Sequence, residues 1–286
     1  DCINAFAVVT FDHCWSFDNG YFTNFVNSTG DGNGIKAGGY GISGGKYPTP
    51  IPHHVVEFCL AVRNRASGFY ANHHLDGQVW LNNTAYRNGI NYNLLCSTNN
   101  TSGTNDVPGF DQVMKNNLGY KGGTEVANLN ANKSDVSFNY FTLPVTVATN
   151  DFMSLDESLL TAPRQANGDL PYLAFGQLVS PSDLVDAGTN LGFAYTGNAP
   201  DLGAFEYGLP APPTLALHLA GQSLVLASGG GPGGGTNYLI ATTNLTLPPS
   251  AWTRVATNQF NVAGSSTFTN VITADRPQQF YRLRLQ

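Results

Sequence analysis

The sequence predicts an all-β protein: a right-handed parallel β-helix over residues 1–208, then a small immunoglobulin-like β-sandwich over 215–286. A Pro-rich linker at 209–214 separates them. Three observations predict this. A short motif recurs in the first part with solenoid spacing. The composition is turn-rich and charge-poor. The last seventy or so residues read as short alternating runs.

Four segments set the repeat. They are Cys14-Trp15-Ser16-Phe17-Asp18-Asn19, Cys59-Leu60-Ala61-Val62-Arg63-Asn64, Asn83-Thr84-Ala85-Tyr86-Arg87-Asn88 and Asn117-Leu118-Gly119-Tyr120-Lys121-Gly122. Each reads Cys or Asn, any residue, a small residue, an apolar or aromatic residue, a polar residue, then Asn or Gly. A second element follows each copy: Gly34-Ile35-Lys36, Gly68-Phe69-Tyr70, Gly89-Ile90-Asn91 and Gly122-Gly123-Thr124. Its apolar positions, 35, 69, 90 and 124, stand 34, 21 and 34 residues apart. Such segments are too short for helix pairs, are rich in β-formers and close on Asn-Gly turns, which favours a parallel β-helix of stacked coils. Cys14, Cys59, Asn83 and Asn117 should stack as one column, and recurring Asn should form a ladder that satisfies the turn backbone.

Composition agrees and excludes several classes. Charged residues are 11% against about a quarter in an ordinary domain. Gly, Asn, Thr and Ser replace them, as in turn-rich extracellular β-proteins. The 42% of hydrophobic residues is enough for a core. Net charge is −6 with no basic patch, which argues against nucleic acid as a partner. No apolar run approaches the ~18 residues of a membrane span. Cys2, Cys14, Cys59 and Cys96 include no CxxC pair, so buried free thiols are expected rather than zinc, with a disulfide left open.

The coil register gives positions a direction. Alternation puts Ile35 inward and Lys36 outward. The same spacing places Tyr70 and Asn91 in the Lys36 column, with Asn72 and Asn93 two residues on. Together they would form a polar strip suited to an extended, acidic, hydroxyl-rich polymer. Lys36 lies in Gly32-Asn33-Gly34-Ile35-Lys36-Ala37-Gly38-Gly39, one cation among glycines in a chain with 13 Lys and Arg. Without bulky neighbours, it should be open to a large ligand.

Two stretches, Cys14-Trp15-Ser16-Phe17-Asp18-Asn19-Gly20-Tyr21 and Gly32 to Gly39, resemble polysaccharide lyase family nine. The family holds the pectate and rhamnogalacturonan lyases with a pectin lyase-like β-helix. The likeness continues through Gly68-Phe69, Asn72 and Asn83-Thr84-Ala85-Tyr86. It ends with Asp183 to Gly188 and Ala199 to Glu206, a closing pattern common to many secreted bacterial β-helices. It implies that Lys36 is the base of a calcium-assisted β-elimination on an acidic plant cell-wall polysaccharide. Such a reaction needs a base for the proton on C5 and a cation to neutralise the neighbouring carboxylate. The family's D-D-G-x-D calcium motif lies one coil before the lysine. Asp1, 35 residues before Lys36, would be its last member, so a truncated lyase with one remnant calcium ligand is expected. A monomer, secreted or at the bacterial cell surface, is also expected. The rival is a non-catalytic β-helix for polysaccharide binding or adhesion.

Other motifs carry less. His53-His54 and His73-His74 lack HExxH spacing and read as loop residues on a sugar-binding face, with His73 as a substrate contact. No Gly-x-Ser-x-Gly elbow occurs. Asp76, Asp106 and Asp111 could form a glycosidase pair but read as turn residues. Gly229 to Gly235 lacks the Lys-Ser/Thr of a phosphate loop. In the tail, strands are expected at 215–219, 223–227, 238–242, 252–256, 267–272 and 280–285. Tyr238 to Leu245 with Trp252 and Phe280-Tyr281-Arg282 resembles C-terminal modules of secreted bacterial proteins, serving as carbohydrate attachment, surface sorting or a simple cap and spacer.

Overall fold

The computed structural model describes residues 5–39, 47–98, 105–164, 170–208, 214–221, 223–230, 234–247, 251–262, 264–271 and 278–285. The chain divides into two compact units, Asp1–Leu160 with Leu173–Gly208, and Thr161–Tyr172 with Leu209–Gln286.

The first unit is a parallel β-helix with three sheets. The first sheet stacks β1 (Thr10–Asp12), β4 (Val55–Glu57), β7 (Val79–Leu81), β12 (Val113–Lys115) and β15 (Asp135–Ser137). The second stacks β2 (Trp15–Phe17), β5 (Leu60–Val62), β8 (Thr84–Tyr86) and β13 (Leu118–Tyr120). The third stacks β3 (Ile35–Lys36), β6 (Ser67–Tyr70), β9 (Ile90–Asn93) and β14 (Thr124–Ala127). Neighbours within each sheet run parallel. A short antiparallel pair, β10 (Cys96–Ser97) and β11 (Asp106–Val107), stands beside the coils.

The recurring motif is the second sheet. Its small residues Ser16, Ala61, Ala85 and Gly119 share one register, and buried Ala61 and Ala85 belong to the coil core. Small side chains there leave room for large ones from the other sheets: Phe69, Tyr92, Trp80 and Met114 are all fully buried. Phe69 and Tyr92 stack with ring centroids 5.1 Å apart. The turn after each motif uses the left-handed region at Asp18, Arg63, Arg87 and Lys121, with φ of 60, 49, 56 and 55°. Three of these turns are held by the next coil: the Asp18, Arg63 and Arg87 amides donate to the Val62, Tyr86 and Tyr120 carbonyls at 3.1, 2.9 and 3.0 Å.

The predicted Cys14, Cys59, Asn83 and Asn117 column is present. The Cys59 amide donates to Asn83 Oδ1 at 3.0 Å, Asn83 Nδ2 to Asn117 Oδ1 at 3.0 Å, and Asn117 Nδ2 to Asn139 Oδ1 at 2.8 Å. A second ladder runs on the opposite corner: Asn19 to Asn64 at 2.7 Å, Asn64 to Asn88 at 2.9 Å, Asn88 to Asn91 at 3.0 Å. The rungs from Cys59 and from Asn64 onward satisfy buried donors that a dry interior would otherwise leave unpaired. Cys59 and Cys96 are buried free thiols, each pushed up to about 12 chiefly by burial; Cys14 is free and exposed. Cys2 lies outside the described residues.

After β15 the chain leaves the coils and covers the second sheet. Leu118 packs with Phe152, Leu178, Leu184 and Leu202. The Ala204 amide donates to Thr84 Oγ1 at 2.8 Å, and Phe175 meets the Tyr86 ring edge-on.

The second unit contains all six strands expected in the tail. β16 (Thr214–Ala220), β17 (Ser223–Gly229) and β20 (Ser266–Val271) form one antiparallel sheet. β19 (Thr253–Gln259), β18 (Thr236–Thr242) and β21 (Phe280–Leu285) form the other. Leu226 and Phe268 from the first sheet and Leu239 from the second are buried in one core, so the two sheets pack as a sandwich.

Candidate active site

The outward positions of the third sheet carry the candidate site. Ile35 pairs with Phe69 and Lys36 with Tyr70; Phe69 then pairs with Tyr92 and Tyr70 with Asn93. Ile35, Phe69 and Tyr92 are core residues, so Lys36, Tyr70 and Asn93 form the outward column. The direction expected for Lys36 and Tyr70 holds.

The third member of that column is Asn93, not Asn91. The sequence spacing matched position 90 to position 69, but Ile90 pairs with Ser67. The offset is two residues because Gly89 is not the counterpart of Gly68: it stacks on the Arg65-Ala66 turn, its amide donating to the Asn64 carbonyl at 3.0 Å. Asn91 instead turns inward and is fully buried. The next coil has Gly122 where an Asn would continue the ladder. Asn91 fills that space: a Cβ on Gly122 would lie 2.8 Å from its amide group. Its Oδ1 accepts from Asn88, and its Nδ2 donates to Glu125 at 2.7 Å.

Asn72 is also not on the open strip. It is buried, in the left-handed region at φ 57°, and its Nδ2 donates to the Gly38 carbonyl at 2.5 Å. It therefore clamps the backbone after Lys36. Gln78 does the same at the Ala37 carbonyl, and the Gly39 amide donates to His74 Nδ1 at 3.3 Å. Asn93 ends the outward column by register but is as buried as Asn72, accepting from Asn128 at 2.8 Å and donating to Ser67 Oγ at 3.2 Å.

These clamps account for the glycines. A Cβ on Gly38 would stand 2.6 Å from both Gln78 and His74, and one on Gly39, at φ +105°, 2.5 Å from Asn72. At Gly34 it would meet the Gly68 carbonyl at 2.5 Å. The glycines let the adjacent coil approach, so they fix the lysine strand and do not serve to open it to a ligand.

The histidine pairs split. His54 and His74 are fully buried with ring centroids 5.1 Å apart, so they are core residues and not part of a sugar-binding face. His74 Nε2 donates to the Pro52 carbonyl at 2.8 Å, and burial lowers its pKa to about 4. His73 faces the strip. Its Nε2 is 2.8 Å from the Tyr70 hydroxyl, and its Nδ1 is 2.6 Å from Asp106 Oδ1. Asp106, read from sequence as a turn residue, thus joins the site. It lies 33 residues from His73 at the start of the two-residue strand β11, outside the coil repeat, and no local signal marks it. Burial, then the charges of Asp106 and Asp31, push the Tyr70 hydroxyl up to about 12, so it stays protonated at neutral pH.

Among the described residues, no group of three or more His, Cys, Asp or Glu side chains could hold a metal ion. Asp1, the expected calcium ligand, lies outside them. Among the described residues, no helix is long and apolar enough to cross a membrane.

Comparison with known proteins agrees with this architecture. Residues 1–124 match the family described as "Pel9A-like, right handed beta helix region", and residues 130–229 match "Rhamnogalacturonan lyase-like, C-terminal". The closing stretch from Asp183 to Glu206, expected to be generic, lies inside the second match. A pectate lyase L of Dickeya chrysanthemi is 36% identical over 208 residues, 72% of this chain and 44% of that protein. A pectate lyase L of Dickeya dadantii is 34% identical over 210 residues, with the same coverage. Among solved structures, a rhamnogalacturonan lyase superposes with TM-score 0.58 at 43% identity, over 62% of this chain and 43% of that one. The crystal structure of pectate lyase Pel9A gives 0.57 at 30% identity, over 72% and 47%. The chain spans less than half the length of these relatives.

Proposed function

Because residues 1–124 of the chain belong to the Pel9A-like right-handed β-helix family, we propose that its third sheet is the catalytic face of a polysaccharide lyase acting on a uronate polymer. The observation that carries this reading is the outward column of Lys36, Tyr70 and Asn93 on strands whose backbone is clamped from behind. Lys36, in its neutral form, would take the proton on C5 of a uronate, α to the carboxylate. The electron pair released forms the C4–C5 double bond as the C4–O bond breaks. Tyr70, Asn93 and His73 would contact the sugar hydroxyls. A clamped strand matters because proton transfer needs the base held within hydrogen-bond reach of its proton.

The reading extends to a pectate or rhamnogalacturonan backbone as substrate, the two named among the relatives. It places the protein outside the cell, where such polymers occur. Calcium as the carboxylate-neutralising cation remains part of the proposal. The described residues offer no cluster to hold it, so no step is assigned to it here.

The test follows the ultraviolet absorbance of the unsaturated product from polygalacturonate and from a rhamnogalacturonan backbone, with and without added calcium. Lys36→Ala should lower the rate by ~10³-fold, within the range for loss of a general base, while the folded state is unchanged. An unchanged rate would remove Lys36 as the base. Polymer binding without any product would make this face a binding surface only.

A further inference from the structure

We propose that Tyr70, His73 and Asp106 form a proton relay that protonates the departing O4 oxygen; this rests on the lyase reading above and adds an acid to its base. The geometry is a continuous chain: Tyr70 hydroxyl to His73 Nε2 at 2.8 Å, His73 Nδ1 to Asp106 Oδ1 at 2.6 Å. Tyr70 pairs directly with Lys36 on the adjacent coil, ~4.8 Å away along the stack. A sugar bound over the two would present C5 to one and the bond at C4 to the other.

The donor inventory fixes the direction. An ionised carboxylate only accepts, so His73 Nδ1 carries a hydrogen towards Asp106. Nε2 then has two states. When the ring is neutral it accepts from Tyr70. When the ring is protonated it donates to the Tyr70 oxygen, which frees the phenolic hydrogen to point at the substrate. Asp106 stabilises this imidazolium by charge. Asp31, whose backbone carbonyl is held by Arg65 at 3.0 Å, also acts electrostatically on Tyr70. The ionisable side chains around the relay are thus Asp106, Asp31 and the Lys36 base.

The step balances. Lys36 gains the C5 proton, and the C5–H electrons become the new double bond. The C4–O pair leaves on O4, which takes the Tyr70 proton. Tyr70 takes the Nε2 proton, and His73 ends neutral. Water then removes the proton from Lys36 and restores the one on His73.

The experiment compares two substrates: the natural polymer, whose leaving group is a sugar alkoxide, and a uronate carrying a 4-nitrophenyl ether at C4, whose leaving group needs no proton. Tyr70→Phe should slow polymer cleavage by ~10²-fold in kcat and the aryl ether far less, with any lost sugar contact appearing in KM for both substrates. Asp106→Asn should show a smaller loss of the same selectivity. Lys36→Ala should lose both substrates. If Lys36→Ala cleaves both normally, Lys36 is not the base and the relay loses its partner; if the wild type cleaves neither, the lyase reading itself fails. If Lys36→Ala fails on both and Tyr70→Phe slows both equally, the relay fails while the base stands. Imidazole nitrogen-15 spectra give a readout independent of turnover. In both ring states His73 should carry a hydrogen on Nδ1, a signature lost in Asp106→Asn. The opposite tautomer would overturn the relay.

Discussion

The second and third sheets of the β-helix have the same coil geometry and opposite surfaces. On the second, the residues facing away from the coil core are Leu60, Thr84 and Leu118, then Val62, Tyr86 and Tyr120. Residues of the chain after β15, among them Leu143, Phe152, Leu178, Leu184 and Leu202, lie over them, and Leu118, Leu184 and Leu202 are buried there. On the third, the outward residues are Lys36, Tyr70 and Asn93. Identical backbone hydrogen bonding therefore leaves the outward side chains to decide which face is covered. An apolar face gains from burial, at ~25 cal/mol per Å² removed from water. A face of Lys, Tyr and Asn would have to give up its hydration for unmatched partners.

The sharpest way to break this contrast is Leu202→Ala, which empties the cover of the second sheet. Leu202 is fully buried, so the expected loss is about 2–5 kcal/mol of unfolding free energy by chemical denaturation. The rate per folded molecule should not change, because Leu202 packs against the second sheet and not the third. A loss below about 1 kcal/mol would mean that the covering segment is not part of the fold's stability.

Acid should act on the back of the third sheet. His74 in its neutral form donates from Nε2 to Pro52 and accepts the Gly39 amide at Nδ1. Protonation at Nδ1 would remove that acceptor. Its pKa is lowered from 6.5 to about 4 by burial, with His54 and His53 opposing its charge. The unfolded chain thus binds the proton first as pH falls. Stability from this group is complete above 6.5 and decreases as pH falls to about 4. The total is on the order of 3 kcal/mol. Denaturation midpoints over that window should fall for the wild type and less steeply for His74→Gln. Equal slopes would show that His74 is not the latch on Gly39.

How far the sequence reached depends on which interaction set each position. The second-sheet motif was legible because one short string fixes four things at once: a ladder residue, a small inward residue, an apolar outward residue and a turn. The Cys14 to Asn117 column and the six tail strands follow from such local patterns. The third sheet was legible in direction but not in register. Ile35, Lys36, Phe69 and Tyr70 have the same spacing from Gly34 and Gly68, whereas Gly89 belongs to the turn over Arg65 and Ala66 and so misleads the count by two residues. Asn72 and Asn91 are polar residues that the sequence placed outside, yet each is bound to a group on a neighbouring coil. Asp106 and the buried His54 and His74 depend on contacts across loops, which no periodicity encodes. The glycines around Lys36 were visible, but their reason lies in Gln78, His74 and Asn72 on adjacent coils.

The smallest effect is also the finest test of the register. Asn91 and Asn93 are two residues apart on one strand, and the pairing assigns them opposite roles. Asn91→Ala removes the acceptor for Asn88 at the end of a buried ladder, with Asn88 Nδ2 bonded to it at 3.0 Å. That should cost about 2 kcal/mol of stability, the penalty for orphaning a buried donor, and leave polymer affinity per folded molecule unchanged. Asn93→Ala removes an amide from the column of Lys36 and Tyr70. It should weaken polymer binding by about 1 kcal/mol, several-fold in KM, with the smaller loss of stability. Denaturation and saturation kinetics on both variants separate the two roles. If Asn91→Ala were the one to change KM, the polymer would lie in the register that the sequence spacing alone suggests, and the outward column would have to be rebuilt around it.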